Sequence, residues 1–238
     1  MKFEDWFPHY QLIRKKFGYS TEKDQDAAKL LSKLIFKPLN LKLLKKKIHN
    51  KRVLVIGAGP DLETNLDFIK EHSKLLKIAA DGSVQFLLEN NLYPDVVVTD
   101  LDGNINYLKL ASKRGSIMVI HAHSDNVELL KKHVPKFSNI IGTTQVMPVE
   151  NVYNFGGFTD GDRCVFLADE FGAKDIILVG MCFGNIIGSY SKSKLNNPLL
   201  KKEKMKIGKQ LLYMLSKQSK SNLFDTAEKP LPGFTPFK

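Results

Sequence analysis

The sequence predicts an α/β fold: a mostly parallel, doubly wound, Rossmann-like sheet, with an N-terminal helical cap and a C-terminal helix followed by an extended tail. Three observations predict it. Short runs such as Val53-Leu54-Val55-Ile56 and Val96-Val97-Val98 are apolar without alternation, the pattern of strands buried on both faces. They alternate with stretches of helical periodicity, the rhythm of a parallel sheet with crossover helices. Several of the runs stop at Gly or Asp, which would gather turn and ligand residues along one edge of the sheet.

The length of 238 residues allows one large α/β domain with helical additions. The expected division is a helical N-terminal region over 1–50, an α/β catalytic core over 51–190, and a C-terminal helix and tail over 191–238. No apolar run approaches the length of a membrane span. The opening Met-Lys-Phe-Glu-Asp-Trp places acids where a secretory signal needs a basic and then an apolar segment. A cytoplasmic protein without membrane attachment is expected. Cys164 and Cys182 form neither a CxxC nor a zinc pattern and read as reduced packing residues. The formal charge of +11 comes mostly from lysines, concentrated over 42–51 and 192–220. Such a balance favours anionic partners: nucleic acid, anionic lipid or phosphorylated small molecules. The acids lie in the middle of the chain, so an acidic metal site in a basic frame is one reading, and lysine-rich solvated helix faces are the other. The lysine-rich ends also suit a surface between copies of the chain.

Taken in order, Phe3, Trp6, Phe7 and Tyr10 recur at helical spacing, with Pro8 as an interruption. A second helix is expected over 24–36, with Ala27, Leu30, Leu31, Leu34 and Ile35 on one stripe and Pro38 beyond it. A third, lysine-rich helix follows over 39–48. Strands are expected at 53–56, 76–80, 96–98, 117–120, 139–144 and 175–179, with a further candidate over 149–153. Helices are expected from Asp61, over 84–89, from Asn104 to about Lys113, and over 163–171. The tail holds a polar loop over 189–194, a helix over 199–216 with Met205, Leu211, Leu212 and Leu215 as its apolar stripe, and extended chain over 230–238.

The stretch 94–104 is the centre of the pattern. A buried strand runs straight into Thr99-Asp100-Leu101-Asp102-Gly103. In strand-like geometry Asp100 and Asp102 point to one side. Two close carboxylates repel unless a cation lies between them, and Mg²⁺ held by carboxylates and substrate phosphates is the ordinary answer. A solvated Asp-Gly turn is the competing reading. Gly57-Ala58-Gly59-Pro60 after the first strand is a candidate phosphate loop, but the third glycine of the dinucleotide fingerprint is replaced by Leu62 and no Walker lysine follows. Asp81-Gly82 repeats the acid-glycine pattern. His121 and His123, with Asp125 and Asn126, end the fourth strand and suit either metal or phosphate binding or ordinary loop hydrogen bonds. Thr159, Asp160 and Asp162 stand at the start of a helix, where capping needs only one such residue. Repetition of such turns along one rim suits a metal-bound polyphosphate.

These blocks together carry a resemblance. Gly57-Ala58-Gly59-Pro60, Ala80-Asp81-Gly82, Thr99-Asp100-Leu101-Asp102-Gly103, His121-Ala122-His123-Ser124-Asp125-Asn126, Gly157-Phe158-Thr159-Asp160-Gly161-Asp162-Arg163, and Gly180-Met181 with Phe183-Gly184, occur in the order seen in the archaeal 6-hydroxymethyl-7,8-dihydropterin diphosphokinase family, which the chain resembles over about 52–190. The family usually reads Gly-Met-Asp-Phe-Gly at the last turn, and Cys182 replaces that Asp here. The resemblance implies transfer of diphosphate from ATP to a hydroxymethyl pterin with release of AMP, dependent on Mg²⁺, on the way to tetrahydromethanopterin or folate-type cofactors. It implies small-molecule substrates rather than nucleic acid. It suggests Asp100, Asp102 and Asp162 as metal ligands, with Asp81 beside them, and phosphate held at Gly57, Ala58, Gly59, Pro60 and Gly82. It also suggests Arg163 or a tail lysine on the transferred group, His123 or Asp125 as base, and Asp160 or Asn126 against the pterin edge. Relatives of the superfamily leave a thiamine diphosphokinase or a motility-associated glycosyltransferase as alternative enzymes, and a basic nucleic-acid-binding module as the non-enzymatic one.

Overall fold

The computed structural model describes residues 3–183, 186–191 and 197–237. Gly184 and Lys192 to Lys194, which fall in the glycine turn and polar loop expected above, lie outside the described residues, as do the first two residues and the last.

Three helices come first: α1 (Phe3–Phe17), α2 (Thr21–Leu34) and α3 (Leu41–Ile48). Helix α1 runs through Pro8 rather than breaking there. Pro8 and Glu4 are both exposed, so the Glu4 carbonyl that loses its helical donor faces water. Helix α2 starts three residues earlier than its stripe suggests, because the Ser20 side chain accepts from the Lys23 amide and caps it.

The α/β order is then β1 (Arg52–Ile56), α4 (Leu66–Glu71), β2 (Leu76–Ala80), α5 (Asp81–Glu89), β3 (Val96–Thr99), α6 (Ile105–Lys113), β4 (Ile117–Ala122), α7 (Val127–His133), β5 (Ile140–Thr144), β6 (Val152–Tyr153), α8 (Asp160–Glu170) and β7 (Asp175–Val179). The strand cores match the apolar runs. Strand β4 extends two residues further than expected and takes in His121, which is buried. The chain ends with α9 (Pro198–Ser216), β8 (Asn222–Asp225) and β9 (Thr235–Pro236). Strand β8 has no counterpart in the sequence reading: it holds only Leu223 and Phe224 as apolar residues, and pairing with β7 in parallel makes it a strand.

Among the described residues, nine strands form one parallel sheet in the order β6-β5-β4-β3-β2-β1-β7-β8-β9. The α/β class and the doubly wound order are those the sequence predicts. Strands β3, β4, β5 and β7 are buried at every residue, as a sheet covered on both faces requires. Helix α8 packs against β1, β2 and β3, and α9 packs on α8. Helix α2 packs against β4 and β5. None of the described helices is long and apolar enough to cross a membrane.

The order of the strands reverses between β1 and β7. Open α/β sheets bind ligands at such a point, outside the carboxyl ends of the strands. Here the two strand ends are locked together. The Gly57 amide donates to the Val179 carbonyl at 2.9 Å and the Gly59 amide to the Gly180 carbonyl at 2.7 Å. A Cβ on Gly59 would stand 2.7 Å from the Gly180 oxygen, so the approach admits only glycine.

Candidate active site

The carboxyl ends of β1, β2, β3 and β7 open into a cleft of about 1050 Å³, closed on its far side by α9. That volume is at the upper end of ordinary ligand pockets. Its most concentrated feature is a group of four carboxylates, Asp81, Asp100, Asp102 and Asp160, whose oxygens can all lie within 4.8 Å of one another.

Each acid arrives by a different local device. Asp81 is the first residue of α5, where the helix N-terminus favours negative charge. Its carboxylate accepts from the Thr99 hydroxyl and, at 3.2 Å, from the Gly103 amide. A Cβ at Gly103 would lie 1.6 Å from an Asp81 oxygen, so a side chain there is incompatible with this arrangement. Asp100 and Asp102 do not share a face through strand alternation. Strand β3 ends at Thr99, and Leu101 takes φ 68°, a left-handed conformation unusual for a branched residue. The Leu101 side chain is buried and its amide donates to Thr99 Oγ1 at 2.8 Å, which holds the bend. The bend brings the two acids together.

Asp160 opens α8, and its Oδ1 is buried without a hydrogen-bond partner among the described residues. Burial raises its proton affinity well above that of an ordinary carboxylic acid, and Asp100, Asp81 and Asp102 add to the rise, while Arg163 opposes it. Carboxylates this close are mutually unfavourable without a cation. An all-oxygen donor set that includes one orphaned buried oxygen fits a hard divalent ion such as Mg²⁺.

Asp162 is not brought to this cluster. It is fully buried and faces the other way, accepting from the Phe158 amide at 2.5 Å, the Thr159 amide at 2.8 Å and the Thr159 hydroxyl. This is the reciprocal cap of α8. Of the two acids in Thr159-Asp160-Gly161-Asp162, one caps the helix and the other, Asp160, faces the cleft.

The glycine turn lines the cleft through Gly57, Ala58 and Gly59, and Gly82 lies beside it. The amides of Gly57 and Gly59 are spent on β7, however, and are not free to cradle phosphate. Pro60 is not part of the lining. Cys182 lines the cleft as a free, half-buried thiol outside the carboxylate group.

His123, Asp125 and Asn126 stand behind Asp100 rather than in the cleft. His123 Nε2 lies 3.4 Å from Asp100 Oδ2, and its Nδ1 accepts from the Asp125 amide at 3.2 Å. The Asp125 side chain is exposed. Asn126 is buried; it donates to the carbonyls of Asp100 at 2.8 Å and His121 at 2.7 Å and accepts from the His123 amide at 3.1 Å. Its amide hydrogens tie the end of β3 to the end of β4, which leaves no edge for a ligand.

Arg163 lines the cleft with its guanidinium almost wholly buried. Burial lowers its proton affinity, and Asp160, Asp162 and Asp100 offset that only in part. Opposite, α9 contributes Lys204, whose ammonium lies 5.8 Å from the Tyr19 ring centroid and 5.9 Å from that of Phe158. The cleft therefore sets an acidic floor between cationic walls. Sequence reading missed two buried polar residues near this wall, Asp24 and Gln145. No local signal marks them, since their partners are more than 100 residues away in some cases.

The family described as 6-hydroxymethylpterin diphosphokinase MptE-like matches residues 28–188. Three curated relatives, each named 6-hydroxymethyl-7,8-dihydropterin pyrophosphokinase, are similar over most of their length. The relative from Pyrococcus furiosus is 44% identical over 94% of this chain and 99% of its own. That from Methanocaldococcus jannaschii is 39% identical over 88% and 91%, and that from Methanothermobacter thermautotrophicus 38% over 84% and 86%. Among solved structures, the MAf glycosyltransferase of Magnetospirillum magneticum aligns with 80% of this chain and 34% of its own at a TM-score of 0.52 and 13% identity, a likeness of fold alone. The cleft, its acids and these relatives place the chain in the 6-hydroxymethylpterin diphosphokinase MptE-like family.

Proposed function

We propose that the chain transfers diphosphate from ATP to the hydroxymethyl group of 6-hydroxymethyl-7,8-dihydropterin and releases AMP, a step that feeds tetrahydromethanopterin or folate-type cofactor synthesis. The observation that carries the reading is the convergence of Asp81, Asp100, Asp102 and Asp160 in a large cleft of a chain with these relatives. The acceptor oxygen bonds to the β-phosphorus, the bond from that phosphorus to the oxygen bridging the α-phosphorus breaks, AMP leaves with that oxygen, and the hydroxyl proton is released.

Such transfers need charge neutralisation and alignment more than covalent help. A bound Mg²⁺ supplies neutralisation of the polyphosphate oxygens. Asp81, Asp100, Asp102 and Asp160 would hold it, Asp81 being the most buried of the four and Asp102 the most exposed. Arg163 places a permanent positive charge beside the acids, in a water-poor wall where it acts strongly on phosphate oxygens. His123 steadies Asp100 from behind. Lys204 contributes a second cation at the α9 side of the cleft.

Incubating the chain with ATP, Mg²⁺ and 6-hydroxymethyl-7,8-dihydropterin, with thiamine as a parallel acceptor, tests the reading. The expected products are AMP and the pterin diphosphate in equal amounts, with no AMP from thiamine. ADP as the product would mean a simple kinase, and thiamine-dependent AMP would move the substrate assignment.

A further inference from the structure

The N-terminal helices reach the reaction centre through one buried carboxylate. Asp24 of α2 is fully enclosed, a rare environment for an acid unless it is fully partnered. Its Oδ2 accepts from the Tyr10 hydroxyl of α1 at 2.8 Å and from Gln145 Nε2 at 2.8 Å, and its Oδ1 accepts from the Ser124 amide at 2.8 Å. Ser124 follows His123. Gln145 follows β5, is itself buried, and has its main-chain carbonyl held by the Trp6 indole N–H at 2.8 Å. The other end of the Gln145 amide, Oε1, accepts from the Arg163 guanidinium at 3.3 Å.

The direction of this chain of bonds is set by chemistry. A carboxylate only accepts, so the Gln145 amide must turn its NH₂ toward Asp24. Its oxygen is then left for Arg163, which only donates. With an amide in place of the carboxylate, no orientation satisfies both neighbours. In Asp24→Asn, a new amide that keeps its oxygen on the Ser124 amide presents NH₂ to Gln145, and Gln145 must invert and present NH₂ to the guanidinium. Turned the other way, the new amide sets its NH₂ against the Ser124 amide, beside His123.

Resting on the diphosphoryl-transfer reading, we propose that Asp24 is a positioning residue: through Gln145 it fixes the orientation of Arg163, and through Ser124 it fixes the segment that carries His123 behind Asp100. The helical cap is thereby part of the reaction centre without touching substrate.

The test is a set of variants assayed for pterin-dependent AMP release beside the wild type. Asp24→Asn is expected to lower kcat about 10- to 100-fold with little change in KM for the pterin, the signature of misplaced charge and not of lost substrate contact. Asp24→Asn combined with Gln145→Glu restores an acceptor facing Arg163 and a partner for the new amide, and should recover most of the loss. Gln145→Met leaves Asp24 its Tyr10 and Ser124 bonds and should show a similar fall in kcat, which keeps the test valid if Asp24→Asn alone fails to fold. The resonances of the Arg163 guanidinium N–H groups, whose Nη2 donates to Gln145, are expected to move in Asp24→Asn and in Gln145→Met. Unchanged kcat in both Asp24→Asn and Gln145→Met, or unmoved resonances, overturns the proposal. Wild type that forms no AMP overturns the functional reading instead, and the resonances then still decide the positioning role.

Discussion

At the scale of the residue, the site depends on which acid faces which way. In Thr159-Asp160-Gly161-Asp162 the two carboxylates are two positions apart, and sequence offers no rule for choosing between them. The capping geometry chooses: Asp162, third in the helix, can reach back to the amides of Phe158 and Thr159, and Asp160 is left to face the cleft. Leu101 shows the same limit, because its left-handed backbone follows from buried packing and the Thr99 hydroxyl, not from its own preference. His121 is a further case. The apolar run stops before it, yet it belongs to a buried strand, with Nδ1 3.3 Å from the Thr143 hydroxyl. Burial drives its proton affinity well below that of a free imidazole, helped by the Arg163 and His123 charges and opposed by Asp100. Below a pH of about 6.5 the unfolded chain therefore takes up a proton that the folded chain refuses, and stability falls as pH falls, by at most about 1.4 kcal/mol per pH unit. Thermal unfolding of His121→Gln measured from about pH 7 to pH 5 should converge on or overtake the wild type as the solution is acidified. Parallel curves would mean that His121 takes up its proton as readily in the fold as in the unfolded chain.

At the scale of the element, the strand cores were legible because a parallel sheet covered on both faces demands unbroken apolar runs. Runs 53–56, 76–80, 96–98 and 175–179 all sit within strands. Strand β8 was not legible, since its short, half-polar sequence becomes a strand only by pairing with β7. The glycine turn after β1 was legible as a special turn but not in its purpose. Its amides join β1 to β7 at the reversal of strand order, and the glycines permit the contact. Gly59→Ala is expected to destabilise the fold by about 1–3 kcal/mol through overpacking against the Gly180 carbonyl, read as a lower midpoint in urea. A variant as stable as the wild type would show that the two turns can separate without cost.

At the scale of the whole molecule, one rim collects what the chain distributes widely. Asp81, Asp100 and Asp160 begin or follow three different elements, Arg163 comes from α8 and Lys204 from α9, and the sheet brings them to one cleft. In a chain of net charge +11, Arg163, Lys201 and Lys204 line the same cleft as the acids. The order of the motifs was enough to point to the family, because each block sits at a strand end and the sheet order converts sequence order into adjacency. The contribution of the helical cap was not legible, since Asp24 reads as one more polar residue on an amphipathic helix until Ser124 and Gln145 are folded against it. The central claim is that the acidic cleft is where diphosphate is transferred. The most direct measurement is pterin-dependent AMP formation by Asp100→Ala, with its fold checked by circular dichroism. A folded variant that has lost about 100-fold or more of the wild-type rate is the result the account predicts, since charge stabilisation of the transition state is worth that much. A folded Asp100→Ala with the full wild-type rate would contradict it.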